Sequence, residues 1–118
     1  KLRSMSLLIS MRPHGRPVWP KCVTGSQNLE ATLEQDFAPA DLLTLLNNRQ
    51  QPDDTALPQR GQPIEHERRL APCFIVGDEY GTRACTAFIL TKEQITFAEQ
   101  SYAAGGVATG LVQFEFER

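Results

Sequence analysis

Apolar and polar positions change period along this chain. Leu29, Leu33 and Phe37 recur at every fourth position, with Glu30, Glu34 and Gln35 on the opposite side. That spacing predicts an amphipathic helix over residues 27–37, capped by Ser26 or Asn28. Pro39 predicts the first position of a second helix over residues 39–48, where its fixed φ suits the turn and its missing N–H costs nothing. Asp41 favours that first turn, Leu42, Leu43, Leu45 and Leu46 give a wide apolar stripe, and Asn47-Asn48 ends it. Residues 49–63, with Pro52, Pro58, Gly61 and Pro63, predict a polar loop. Its length in a compact domain points to function or mobility.

Beyond residue 72 the period falls to two. Cys73-Phe74-Ile75-Val76 is a short strand-like run, and Tyr80-Gly81-Thr82-Arg83 is a polar turn before a second run, residues 82–90. That second run is apolar on both alternating sets: Ala84, Phe88 and Leu90 on one, Cys85, Ala87 and Ile89 on the other. It predicts a strand covered on both faces. Lys92-Glu93 is a tight turn, residues 94–102 return antiparallel, and Ala103-Ala104-Gly105-Gly106 is a loop. In the last strand Val112, Phe114 and Phe116 are predicted to face the core, with Gln113, Glu115 and Glu117 facing solvent. The order predicts an α/β (α+β) domain, two helices packed on an antiparallel sheet built from residues 72–117. The N-terminal segment 1–18 reads as irregular, since Pro13, Gly15 and Pro17 break any ladder, apart from a possible short strand at Leu7-Leu8-Ile9. The residues before Met5 read as an expression-vector remnant. The organisation is therefore this segment followed by one domain over residues 19–118, without an internal repeat.

With 118 residues the chain has room for one modest core. A net charge of −2, with no basic cluster denser than Arg68-Arg69, argues against a nucleic-acid partner. No apolar run approaches the ~20 residues of a membrane helix, and no secretory cleavage pattern is visible. The expectation is a soluble, cytoplasmic protein. The cysteines, Cys22, Cys73 and Cys85, are odd in number and far apart, which fits reduced thiols. Neither a CxxC pair nor a Cys/His cluster is present, so no metal site is expected.

The order of motifs from Trp19 to the C-terminus resembles the C-terminal half of the NRDE family, the transport-and-Golgi-organization type proteins. The residues that carry the resemblance are Trp19-Pro20-Lys21, the leucines of residues 42–46, Leu57-Pro58, Gly61, and Glu65 with Glu67-Arg68 entering the sheet. They continue with Tyr80-Gly81-Thr82-Arg83, then Thr86, Phe97, Glu99 and Ser101, then Phe114-Glu115-Phe116. The family's Asn-Arg-Asp-Glu motif and its Met-Cys start are absent; Met5 is followed by Ser6. Position 85 is Cys where the family usually has Ser, and Glu99-Gln100-Ser101-Tyr102 stands in place of Glu-Arg-Ser-Phe. The resemblance implies half of an N-terminal-nucleophile-type αββα sandwich. With the nucleophile missing, it implies a non-catalytic module that binds a small ligand or partner in trafficking. The alternative is an amide-bond hydrolase or a fragment of one. A half-sandwich leaves a sheet face or edge uncovered, so a homodimer or larger homo-oligomer is expected to replace the missing half.

The candidate ligand-binding residues are Tyr80, Thr82 and Arg83, with Glu65. A fixed guanidinium binds carboxylates and other anions in fork geometry. The competing reading makes Arg83 a structural arginine paired with Glu65 or Glu67. Cys22 is the remaining nucleophile candidate: cleavage after Lys21 would expose an N-terminal cysteine whose amine could act as its base. The plainer reading is a small apolar residue ahead of a helix. Cys73 and Cys85 read as core. His14 and His66 are candidates for haem only through the resemblance, and otherwise read as solvated. Arg68 and Arg69 would keep Glu65 and Glu67 ionised rather than acting as a general acid and base.

Overall fold

The computed structural model describes residues 20–118. The expected strand at Leu7-Leu8-Ile9, the irregular N-terminal segment and His14 lie outside the described residues. Three helices come first: α1 (Pro20–Leu33), α2 (Pro39–Leu46) and α3 (Ile64–Leu70). A meander of β1 (Ala84–Leu90), β2 (Gln94–Ala103) and β3 (Val107–Glu117) follows, antiparallel throughout with β2 central. The architecture is α+β.

Helix α1 begins at Pro20, ahead of the expected residues 27–37, and ends before Phe37. Ser26 and Asn28 therefore lie inside the helix instead of capping it. Helix α2 starts where expected, and its Asp41 carboxylate accepts the Ala38 N–H at 2.8 Å, satisfying a backbone donor ahead of the first turn. The loop after it holds a single 3-10 turn, Asp54–Ala56. The segment expected to lead from Glu65 to Arg68 into the sheet is instead α3. Its acids fall in the first turn and its arginines in the last, the order the helix dipole favours.

The sheet is shorter than residues 72–117. The run Cys73–Val76 forms no strand, because the loop before β1 folds back on it and takes its backbone groups. Phe74 N–H donates to Asn48 O at 2.8 Å, and Ile75 exchanges two bonds with Thr82. Phe74 is fully buried and forms the hub of the core. Its ring meets Tyr102 edge to face at 4.7 Å, and the Arg49 guanidinium lies 4.4 Å over it. Around it pack Leu42, Leu43, Cys85, Ala87, Ile89 and Ala98. Ala87 and Ala98 are direct cross-strand partners. Their small side chains let the α2 leucines approach the sheet closely.

Helix α2 packs on β1 and β2, and α1 packs on α2. Only one face of β1 is therefore covered. Cys85, Ala87 and Ile89 are buried, whereas Ala84, Thr86, Phe88 and Leu90 are exposed, which corrects the expectation of cover on both faces. The alternation of β3 is real, but its sides are reversed. Register pairs Phe114 with Phe97 and Gln113 with buried Ala98, so Val112, Phe114 and Phe116 lie on the face away from the helices. Every residue of β3 is exposed. Period alone sorts side chains into two sets; it does not say which set the helices will cover.

Candidate functional site

The loop of residues 75–82 is built on two glycines. A Cβ at Gly77 would stand 2.2 Å from Tyr80 O, and one at Gly81 would stand 2.8 Å from Ile75 O. Only hydrogen fits at either place. Thr82 closes the loop: its N–H donates to Ile75 O at 2.8 Å, and its hydroxyl oxygen accepts the Ile75 N–H at 3.0 Å. Gly105 N–H donates to Gly77 O at 3.1 Å and ties the loop to the end of β2. The side chain this frame presents is Tyr80, 69% exposed.

Tyr80 forms part of the wall of two neighbouring cavities. The larger, of 530 Å³, is lined by His66, Arg69 and Leu70 from α3 and by the loop from Ile75 to Tyr80, including Asp78 and Glu79. The smaller, of 280 Å³, runs toward Lys21, Pro58, Arg60, Glu67 and Cys73. Leu70 and Ile75 border both. His66 and Arg69 are three residues apart on α3 and so share a face. This arrangement joins an apolar floor to a guanidinium and an imidazole.

The four sequence candidates do not converge. Tyr80 lies in the cleft. Thr82 is turned to the backbone of its own loop. Arg83 is exposed, and its carbonyl accepts the Tyr102 N–H at 2.8 Å. Glu65 is exposed on α3, and neither cavity wall includes Thr82, Arg83 or Glu65. Cys22 is buried within α1. Burial pushes the thiols of Cys73 and Cys85 up, with Lys21 partly offsetting this at Cys73, so both favour the protonated form. Reading Glu65 with Glu67-Arg68 as an entry to the sheet hid the helix face that His66 shares with Arg69; the start signal that could have revealed α3 is Pro63 followed by two glutamates and then two arginines.

The expected pairing of Glu67 with Arg68 or Arg69 is also revised. Glu67, 3% exposed, takes a bidentate bond from Arg60, with Nη2 at 2.8 Å and Nε at 3.2 Å. Arg68 instead grips Asp54 at 2.6 and 2.9 Å, fastening α3 to the 3-10 turn. Lys21 Nζ donates to Leu70 O at 3.0 Å and ties α1 to the end of α3. The guanidinium bonds hold both carboxyls below their ordinary values, 4.5 for Glu67 and 3.8 for Asp54. A carboxyl depressed in the folded state stabilises above its unfolded value, and that contribution is lost as pH falls through the folded one. Thermal melts should therefore be flat from neutrality down to about pH 5 and fall progressively below 4.5. In Arg60→Gln the acid-side fall should shrink while the neutral-pH midpoint drops, because a buried carboxylate loses its fork.

Among the described residues no three His, Cys, Asp or Glu side chains gather as a metal site, and no helix is long and apolar enough to cross a membrane. The haem implied by the resemblance can be tested against the Tyr80 cleft. Imidazole and phenol are possible iron ligands, and Arg69 suits a propionate beside Leu70, Ile75 and Val76, so the donor set fits in kind.

The fold is thus an α+β domain with a loop-built, partly apolar cleft. A family profile described as Transport and Golgi organisation 2 (TANGO2) matches residues 4–104, and the chain belongs to that family. The match includes all of the cleft residues; it begins before Trp19, where the resemblance was read to start, and stops ahead of β3. No curated protein and no solved structure matches. Membership fits a role in transport or Golgi organisation.

Proposed function

We propose that this chain is a non-catalytic binding module acting in transport and Golgi organisation, and that its ligand is a flat, largely apolar molecule bearing a carboxylate. The observation that carries this reading is Tyr80, presented by a loop with no room for a side chain at Gly77 or Gly81, at the wall of both cavities. Leu70, Ile75 and Val76 supply apolar contact, Arg69 takes the carboxylate in fork geometry, and Tyr80 stacks on the flat body. His66 and Tyr80 are the groups that would hold the iron of a haem. Arg83 is the outer cation in this reading, Thr82 fixes the loop, and Glu65 flanks His66. The amide-hydrolase alternative gains nothing from the placement of Cys22, which is buried within α1.

Hemin is a suitable probe of this ligand class, read by its absorbance shift on titration. Tyr80→Ala and Arg69→Ala should each weaken binding about tenfold or more, roughly 1.4 kcal/mol, with unchanged thermal midpoints. Equal binding by wild type and both variants would overturn the cleft as the site.

A further inference from the structure

The face of the sheet turned away from the helices has a composition that the binding cleft does not explain. Register lines up Phe88, Phe97 and Phe114 in one row across the three strands, and Leu90, Ile95 and Phe116 in the next. Phe97 and Phe114 lie 6.5 Å apart, and Phe114 and Phe116 lie 6.3 Å apart. Phe88, Phe114 and Phe116 are each more than half exposed, and Val112 and Leu90 stand 47% and 40% exposed. Taking about 200 Å² for a phenyl side chain, the face offers on the order of 500–600 Å² of apolar surface. That is the top of the range a lone chain leaves in water.

We infer that this face is an interface with a second copy of the chain, the two sheets packing face to face through their phenylalanine rows. Three features select that occupant. The first is area. Two copies together would bury roughly 1,000–1,200 Å², which reaches the lower bound of a specific interface. The second is charge. Thr86, Glu99 and Val112 make up the next row, and Glu99, its one ionisable side chain, accepts the Thr86 hydroxyl at 2.7 Å. Self-apposition therefore brings no run of like charges together at the centre. An anionic membrane surface would instead call for lysines and arginines around the patch; the three rows carry none, and of the two basic residues just beyond the last row, Lys92 and Arg118, Arg118 donates from Nη1 to Thr91 O at 3.0 Å. The third is shape. An exposed three-stranded face is matched by another sheet at about 10 Å separation, and a twofold contact uses one patch twice.

The test is sedimentation velocity on the full chain from about 1 to 100 µM, the range in which so small an interface should dissociate. Wild type should shift from one to two chain masses with rising concentration. Phe88→Asp with Phe114→Asp should stay at one mass throughout. Leu111→Asp, exposed on the opposite side of β3, should behave as wild type. If the double variant fails to fold, Phe116→Ser at the far end of β3 should still move the transition to higher concentration. A wild type that stays monomeric across the range overturns the inference. So does a Leu111→Asp variant that dissociates as readily as the phenylalanine variants.

Discussion

Phe74→Ala is expected to be the most damaging single change in the described part of the molecule. Phe74 is fully buried, and its replacement removes the ring that α2, β1 and β2 share. Emptying such a site costs about 3–5 kcal/mol in transfer and cavity terms. The edge-to-face contact with Tyr102 and the Arg49 guanidinium above the ring add roughly 1–2 kcal/mol that the area term omits. A domain of this size has only about 5–15 kcal/mol in total. The midpoint should fall by roughly 16–28 °C, given about 4 °C per kcal/mol at this length. Phe74→Leu should recover more than half of the loss, because it refills most of the volume without the ring contacts. A melt in which Phe74→Ala moves the midpoint by only a few degrees would mean that the hub is elsewhere.

Gly77→Ala is expected to come second, and its damage should be local. The new Cβ would stand 2.2 Å from a backbone oxygen, Tyr80 O, which cannot swing aside as a side chain can. The loop must open, and the paired bonds between Ile75 and Thr82 go with it. Strained backbone positions cost about 1–3 kcal/mol each, so the global midpoint should fall less than for Phe74→Ala. Tyr80, by contrast, should lose its fixed position altogether. Amide exchange at Ile75 and Thr82 should quicken far more than at Ala87 or Ala98, and hemin binding should drop at least as much as in Tyr80→Ala. Gly25→Ala, where a Cβ meets nothing within 4 Å, is the matching control.

The strands were legible because their signals are local. Lys92-Glu93 and the residue 103–106 loop bracket β2 to within a residue, and Pro39 marks the start of α2. Where the reading failed, the deciding information lay at long range. Nothing near Cys73–Val76 in sequence says that Thr82 will bond Ile75 and withhold that run from the sheet. The sidedness of β3 depends on which face of the sheet α2 covers, and α2 packs on β1 and β2, whose Cys85, Ala87, Ile89, Ala98 and Tyr102 share the core cluster with its leucines. The candidate site divides in the same way. Tyr80 stood out because a glycine-bearing tetrapeptide between apolar runs is a turn that presents side chains. Arg69 did not, and His66 entered only through the resemblance, because both join Tyr80 only once α3 is recognised as a helix.

The alternation of β3 has a further consequence for the chain when it is not folded. Phe114, Glu115, Phe116 and Glu117 make a strand stretch in which every residue is exposed. Segments of this kind are prone to stack on copies of themselves in fibrils. In a parallel in-register stack each Glu115 would meet its own image about 4.8 Å above and below, and each Glu117 likewise. The acids that sort the two faces of β3 thereby also act as gatekeepers, setting repulsion against the growth that the phenylalanines would otherwise drive.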